Sequence, residues 1–315
     1  MLVAAGILLS RLAGLVRQRV LAHFLGLSDA ADAFAAAFRI PNFLQNLFGE
    51  GVLSASFIPV YSRLTAEGRH QEARQVAGAV AGLLGLVVSV LVALGVTAAP
   101  WLIQLLVPGF VGEKRALAVV IVRILFPGTG LLVLSAWCLG ILNSHRHFFL
   151  SYAAPVVWNA AIIAATLLAP RDGGPAGIVI WTAWGAVLGG LLQFAIQVPA
   201  VLRLAGGLHL SLGVGDPNTA TVFANFFPAF LGRGVVQIGG FIDSIMASFL
   251  GTGAVAALAS AQMLYTLPMS LFGMSVAAAE LPELSAMARD ADGSGSALRA
   301  RLEQAMRRVA YFVIP

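Results

Sequence analysis

The sequence predicts an all-α polytopic membrane protein, and three observations support this fold class. Of the 315 residues, 59% are hydrophobic and 10% are charged, whereas soluble domains carry about 25% charged residues. Apolar stretches of about 20 residues or more, long enough to cross a bilayer as a helix, recur along the chain. The alternating pattern typical of a membrane β-barrel does not occur. This composition excludes a cytosolic enzyme, a nucleic-acid-binding protein and a disordered chain.

Eight complete stretches are expected to span the membrane, because each is apolar over the required length. They lie near 1–26, 33–62, 76–108, 117–142, 148–170, 176–202, 219–250 and 254–286. A ninth stretch begins near residue 305 and reaches the last residue of the chain. Between the sixth and seventh spans, four glycines and the Asp216-Pro217 turn predict an interfacial linker over 204–218.

The basic residues in the loops predict the orientation of the spans. Cytoplasmic loops of membrane proteins carry an excess of Lys and Arg. The loops that open on the side opposite the N-terminus hold Lys114, Arg115 and Arg171. The loops on the side of the N-terminus, with their flanks, hold many more, which are Arg63, Arg69, Arg74, Arg146, Arg203, Arg289, Arg299, Arg301, Arg307 and Arg308. The N-terminus is therefore predicted to be cytoplasmic, and the basic net charge reflects topology rather than nucleic-acid binding.

Short motifs recur in order and at a nearly constant offset, which predicts an internal repeat. The matches are Phe24-Leu25-Gly26 with Phe249-Leu250-Gly251, Leu47-Phe48-Gly49 with Leu271-Phe272-Gly273, and Ile58-Pro59 with Leu281-Pro282. Six spans separate the copies, so both have the same orientation and are related by a pseudo-twofold axis along the membrane normal, as in some transporters. The expected organisation is a six-helix lobe over 1–203, the linker, and an incomplete second lobe over 219–315. The chain is therefore expected to be a fragment.

Charged side chains inside the predicted spans indicate a polar interior, because a charge at the centre of a bilayer costs about 2.5–3.5 kcal/mol. Span one carries Arg11 and Arg17, and Gly14 between them permits a close approach of backbone or ligand. Span two carries a polar stripe at i, i+3, i+7 and i+11, which cannot face lipid. The residues of this stripe are Arg39, Asn42, Asn46 and Glu50, with Pro41 as a helix-bending position.

Cations outnumber anions in spans one, two and seven. These spans hold five arginines against three acidic residues, which are Arg11, Arg17, Arg19, Arg39 and Arg233 against Asp32, Glu50 and Asp243. Arginine suits phosphate because its guanidinium donates two parallel hydrogen bonds. The excess predicts an anionic amphiphile with a phosphorylated head as ligand. Internal ion pairs, such as Arg11 or Arg17 with Glu50, are the alternative interpretation.

Other polar motifs predict no chemistry. Cys138 lies in an apolar run and is expected to be a small buried hydrophobe. His145 and His147 are expected to belong to a solvated basic loop, because they lack the further ligands that a metal site needs. Neither a metal site nor a cofactor is expected.

Motifs in spans one and two carry a family resemblance. They are Ser10-Arg11-Leu12-Ala13-Gly14-Leu15-Val16-Arg17, Ala31-Asp32-Ala33-Phe34, Ala37-Phe38-Arg39-Ile40-Pro41-Asn42, Leu47-Phe48-Gly49-Glu50-Gly51 and Ala55-Ser56-Phe57-Ile58-Pro59. The sequence closely resembles the MurJ/MviN family, the lipid II flippases of bacterial peptidoglycan synthesis, over essentially the whole chain. The resemblance implies the multidrug/oligosaccharidyl-lipid/polysaccharide exporter fold, with two six-helix lobes and two C-terminal helices. It also implies a transporter of the bacterial inner membrane rather than an enzyme.

The resemblance also implies roles for individual residues. Arg11 and Arg17 match cavity arginines for the pyrophosphate of lipid II, and Arg39 matches a basic position beside Asn42. Asp32 and Glu50 match acidic positions near the periplasmic gate. Three departures from the family pattern occur. Gln45 and Asn46 stand where the family often has arginines, Gln18 stands where it has an acidic residue, and Met263 stands where a further arginine is expected. Arg233 is expected to compensate for these losses.

The sequence therefore predicts a flippase that moves lipid II between leaflets by alternating access. A flippase for another polyprenyl-linked glycan, such as an O-antigen or exopolysaccharide unit, is the alternative. A cation-coupled drug exporter is less favoured because the predicted cavity is basic, and a non-transporting scaffold for cell-wall enzymes is the third rival. Expected partners are the lipid-linked glycan, membrane lipids, a coupling cation and cell-wall synthesis proteins, without nucleic acid.

Overall fold

The protein is built from helices that form two compact units. The computed structural model describes residues 2–207, 211, 213, 215–268, 303–304, 306–307 and 311, without the side chains of 2–5, 7, 49–50, 233, 235–238 and 267–268. The units are Met1–Leu258 and Ala259–Pro315. In the described part of the chain no residue lies in a β-strand.

The helices follow one another with short connections. They are α1 (Leu2–Leu25), α2 (Asp29–Phe48), α3 (Ser54–Ala66), α4 (His70–Thr97), α5 (Ala99–Leu106), α6 (Gly112–Ser144), α7 (Phe148–Leu168), α8 (Gly174–Leu204), α9 (Pro217–Ser248) and α10 (Ala254–Pro268). Over the described residues, α4, α6, α7 and α8 are long and apolar enough to cross a membrane. The predicted all-α membrane class is confirmed.

Two of the predicted spans are interrupted. The stretch 33–62 consists of α2 and α3, joined by a π-helical turn over Gly49–Leu53. The stretch 76–108 consists of α4 and α5, because Ala98 leaves the helical conformation and Pro100 lies in the first turn of α5. Proline has no backbone N–H to donate and is favoured in the first turn of a helix, where that N–H would have no partner in any case. An apolar run of residues does not reveal either break.

Small residues allow the helices of the first unit to pack closely. The main pairs are α1 with α7, α2 with α6, and α8 with both α6 and α7. A Cβ at Gly6 would lie 2.8 Å from the Cβ of Tyr152, so α1 approaches α7 at a position that only glycine permits. Such contacts are typical of membrane helices, which associate through small residues because lipid supplies no hydrophobic driving force.

Three helices end in the same hydrogen-bonded motif. At the ends of α3, α6 and α8, the chain enters the left-handed region at Gly68, Arg146 and Gly206, with φ of 74°, 60° and 67°. The next residue in each case donates its N–H to a carbonyl in the last helical turn, as His147 does to Leu142 at 2.8 Å. Glycine is the usual residue at this position, so Arg146 is the strained one.

Candidate functional site

A pair of acidic residues, the exposed Asp29 and the buried Asp32, lies where α2 and α6 begin. Asp29 and Asp32 stand three residues apart in the first turn of α2 and therefore share a face. The Nζ atom of Lys114, in the first turn of α6, lies 2.5 Å from Asp32 Oδ2 and 3.1 Å from Asp29 Oδ1. The side chain of Asp32 is 1% exposed. Lys114 thus neutralises a carboxylate that is removed from solvent.

The same carboxylate caps the start of α10. The backbone N–H of Gly253 donates to Asp32 Oδ2 at 2.7 Å, and that of Ala256 donates to Oδ1 at 2.8 Å. The Thr252 hydroxyl donates to Asp29 Oδ1 at 2.9 Å. Unpaired N–H groups at a helix N-terminus attract a negative charge. We call Asp29, Asp32, Lys114, Thr252, Gly253 and Ala256 the Asp32 cluster; it joins α2, α6 and α10.

The turn between α5 and α6 contacts the end of α9. The backbone N–H of Gly109 donates to the hydroxyl of Ser248, in the last turn of α9, at 3.1 Å. A Cβ at position 109 would overlap the Ser248 carbonyl oxygen and lie 2.8 Å from the nitrogen of Phe249. The end of α9 therefore rests directly on this turn.

Arg17 of α1 lies against an aromatic pair. Its Cζ atom is 5.0 Å from the ring centroid of Phe38 on α2 and 5.3 Å from that of Trp158 on α7. Its Nε atom is buried and has no hydrogen-bond partner among the described residues. Arg11, six residues earlier on α1, is exposed. Neither arginine forms an ion pair with a described side chain.

The polar stripe of α2 meets α9. Arg39 is half-buried, and its Nη1 donates to the carbonyl of Gly240 on α9. Asp243, three residues farther along α9, interacts electrostatically with this guanidinium. The rings of Phe43 and Phe241 meet edge to face at 5.0 Å beside it. Arg39 is thus a bridge between α2 and α9 in this conformation.

The remaining predicted site residues are described to different extents. Asn42 is half-buried, and Gly14 and Pro41 are buried. Glu50 lies in the π-helical turn and Arg233 in α9, but both side chains fall outside the described residues. The predicted pairing of Glu50 with Arg11 or Arg17 therefore stays a prediction, and so does compensation by Arg233.

A polar cluster ties the start of α9 to the hairpin of α3 and α4. Asn218 Nδ2 donates to Glu72 Oε2 at 3.1 Å, and Arg63 Nη2 donates to Asn218 Oδ1 at 3.3 Å. Asp216 caps α9 by accepting the N–H of Thr219 at 2.9 Å. Burial alone would raise the pKa of Asp216, but the hydrogen bonds from Thr219 and Asn218 outweigh it and hold the pKa below its usual value. Arg63 is exposed, whereas Glu72, Asp216 and Asn218 are half-buried, and the cluster lies at the opposite end of α9 from Ser248.

Sequence reasoning missed two members of these sites. In the sequence Lys114 has the pattern of a loop charge, because 82 residues separate it from Asp32. Trp158 was not singled out, because a tryptophan in an apolar run is typical of packing or of the membrane interface. Among the described residues, no group of three or more His, Cys, Asp or Glu is placed to hold a metal ion.

The comparison with known families identifies the chain. The model of the family described as lipid II flippase MurJ matches residues 21–315. This chain belongs to the MurJ family. The lipid II flippase MurJ of Burkholderia cenocepacia is 34% identical over 292 residues, which cover 90% of this chain and 56% of that protein. The probable lipid II flippase MurJ of Vibrio cholerae is 34% identical over 325 residues, which cover 100% of this chain and 61% of that protein.

Solved structures agree with the family assignment. A structure titled lipid II flippase MurJ, inward closed conformation, superposes with a TM-score of 0.81 at 27% identity, covering 99% of this chain and 63% of that one. An inward-facing multidrug resistance MATE family transporter superposes with a TM-score of 0.74 at 17% identity, covering 96% of this chain and 66% of that one. This MurJ-family chain therefore has the fold of these two-lobe transporters and is a multi-pass membrane protein. It spans between half and two thirds of the length of these relatives.

Proposed function

We propose that this chain is part of a transporter that flips lipid II from the cytoplasmic to the periplasmic leaflet of the bacterial inner membrane. The observation that carries the proposal is the match to the lipid II flippase MurJ family over residues 21–315. The chemistry agrees, because Arg11 and Arg17 lie on one helix and have no acidic partner among the described side chains. No covalent bond is made or broken, so the protein is a transporter and not an enzyme.

The arginines bind the pyrophosphate of the head group. Arg11 and Arg17 donate the paired hydrogen bonds that phosphate oxygens accept, and Gly14 leaves room between them. Arg39, Asn42 and Arg233 are the other residues that we assign to recognition of the head group. The head group enters from the inner leaflet between spans one and eight, while the polyprenyl tail stays in lipid. The N-terminus is cytoplasmic.

The Asp32 cluster acts as the periplasmic gate. Its hydrogen bonds join α2 and α6 of the first lobe to α10 of the second lobe, as a closed gate requires. Opening the periplasmic side then requires α10 to leave the Asp32 carboxylate, and Pro41 and the π-helical turn let α2 bend as it does so. The predicted ion pair of Glu50 is a separate contribution to closure, because Glu50 follows the far end of α2, about 27 Å along the helix from Asp32. A membrane potential shifts the equilibrium between the two conformations by about 2.3 kcal/mol per unit charge moved across 100 mV. Binding of a coupling cation is the alternative source of this bias.

Complementation tests the proposal directly. The full-length gene is expressed in bacteria depleted of their own lipid II flippase, and growth and periplasmic exposure of lipid II are measured. Rescue that Arg11→Ala and Arg17→Ala both abolish supports lipid II flipping. Failure of a well-expressed, membrane-inserted protein to rescue contradicts it. Arg171→Ala, which removes an exposed basic residue outside both sites, is the matched control and is expected to leave rescue intact.

A second candidate is a flippase for another polyprenyl-linked glycan. Gln45, Asn46 and Met263 favour it, because they remove positive charge from positions where the family resemblance implies arginine. The test is whether Gln45→Arg restores growth in the lipid II assay when the wild-type protein does not. Such a gain would show that the native cavity lacks a charge that lipid II requires, which favours this second candidate.

A further inference from the structure

Trp158 is held in one orientation by α8. Its indole Nε1 donates to the carbonyl of Ala186 at 3.0 Å, and the side chain is 6% exposed. A Cβ at Gly189 would lie 2.8 Å from Trp158 Cδ1, so only glycine at 189 leaves space for the indole. The ring therefore has little freedom to move in the folded protein.

The fixed indole in turn orients two neighbours. The rings of Trp158 and Phe38 stack with centroids 5.4 Å apart and an interplanar angle of 14°. The Cζ atom of Arg17 lies 5.0 and 5.3 Å from the two centroids, so the three groups form a nearly equilateral triangle. A guanidinium within about 6 Å of an aromatic centroid is attracted by the ring. Among the described side chains, Arg17 is thus held by aromatic rings and not by a carboxylate.

This mode of holding leaves the donors of Arg17 available. An acidic partner would occupy the N–H groups of the guanidinium, whereas a ring attracts the cation without accepting its paired hydrogen bonds. Arg17 as a whole is half-buried, although its Nε atom is buried without an acceptor. The charge is therefore oriented, and no described carboxylate neutralises it, which is the state that an anion-binding arginine requires.

We propose that Trp158 is a positioning residue for pyrophosphate recognition, acting through Phe38 and Arg17. The proposal rests on the proposed function, because it assumes that Arg17 binds the pyrophosphate of a lipid-linked glycan. The indole is fixed by its hydrogen bond to α8 and contacts the guanidinium on α1. The arginine is therefore preorganised before the head group binds. Loss of the ring lets Arg17 sample many rotamers, and binding must then order it.

A double-mutant cycle tests this role. The full-length protein in lipid nanodiscs is titrated with a polyprenyl pyrophosphate and, separately, with the corresponding monophosphate. Trp158→Leu is expected to raise the Kd for the pyrophosphate about 5- to 10-fold, and Trp158→Phe, which keeps a ring, by less. The same Trp158→Leu change in an Arg17→Ala background is expected to have no further effect. Trp184→Leu, which removes an exposed tryptophan of α8, is the matched control and leaves the Kd unchanged.

The outcomes separate the two proposals. A wild-type protein that binds no polyprenyl pyrophosphate overturns both the proposed function and this inference. Binding that Arg17→Ala weakens but Trp158→Leu leaves intact overturns the inference alone. Additive effects of the two substitutions also overturn it, because a merely structural tryptophan would weaken binding whether or not Arg17 is present. An equal loss of affinity for the pyrophosphate and for the monophosphate also overturns the inference. The paired hydrogen bonds of Arg17 favour the larger anion, so losing its orientation should weaken pyrophosphate binding more.

Discussion

The carboxylate of Asp32 accepts the backbone N–H of Gly253 at 2.7 Å, and this contact joins residues 221 positions apart in the sequence. It places a negative charge at the start of α10, where the helix dipole favours it. The Nζ atom of Lys114 contacts the same oxygen, Oδ2, at 2.5 Å and balances that charge. The carboxylate is therefore shared between two helices, and its removal affects both.

Replacing Asp32 by alanine is expected to open and destabilise this end of the bundle. The substitution leaves the two N–H groups of Gly253 and Ala256 without their acceptor and Lys114 without its nearer partner, at a cost of about 3 kcal/mol. A cysteine at Ala247, which is 7% exposed, reports the opening. In a Cys138→Ala background, its labelling by a membrane-impermeant thiol reagent is expected to accelerate about tenfold.

Asp172→Ala is the control for this experiment. Asp172 is an exposed carboxylate on the loop before α8 and takes no part in the Asp32 cluster. Its removal is expected to leave both thermal stability and labelling unchanged. Unchanged labelling in Asp32→Ala would show that the carboxylate does not hold α10 closed.

Gly109→Ala is expected to disturb the contact between the α5–α6 turn and α9. The added methyl group overlaps the Ser248 carbonyl oxygen, and relief of such overpacking costs about 1–3 kcal/mol. Thermal unfolding in detergent measures the loss as a lower Tm. Gly85→Ala is the control, because a Cβ there meets no neighbouring atom and alanine favours a helix. A Tm for Gly109→Ala at or above that of Gly85→Ala would contradict the close approach.

The sequence predicts the fold class well and the helix breaks poorly. Apolar runs place α6, α7 and α8 within a few residues, because length and composition decide whether a helix can cross a bilayer. The same runs hide the π-helical turn at Gly49–Leu53, since a change in hydrogen-bond register leaves hydrophobicity unaltered.

The residues of the candidate site can also be predicted only in part from the sequence. Arg17 and Asp32 are conspicuous in the sequence because a charge in an apolar run is costly. Their partners are not conspicuous. Phe38 and Trp158 look like ordinary packing residues, and Lys114 looks like a loop charge until the fold brings it to Asp32. Tertiary contacts between distant segments decide these roles, and neither periodicity nor composition records them.

Arg146→Gly is expected to stabilise the protein. Arg146 ends α6 with φ of 60°, a conformation that costs an L-residue about 1–2 kcal/mol and glycine almost nothing. The two other helices with this ending, α3 and α8, carry glycine at the same place. The Tm of Arg146→Gly should rise, whereas Arg146→Ala should not, because alanine retains the strain. Equal gains in both variants would trace the effect to the lost charge instead.

A pH-dependent loss of stability is expected from His145, which follows the last residue of α6. Its Nε2 atom lies 3.0 Å from the hydroxyl of Tyr61. Burial lowers the pKa of His145, and the charges of His147 and His70 lower it further. The folded protein therefore binds this proton less readily than the unfolded chain does. The contribution to stability is full above the unfolded pKa of about 6.5 and is lost as pH falls through the lower folded pKa.

His145→Gln removes this titration and should flatten the fall in Tm between pH 7 and pH 5. Glutamine retains a polar group for Tyr61 but carries no proton equilibrium in that range. His23→Gln provides the comparison, because His23 is an exposed histidine of α1. If wild type and His145→Gln lose the same number of degrees on acidification while His23→Gln alone differs, the pH sensitivity resides elsewhere than at the Tyr61 contact.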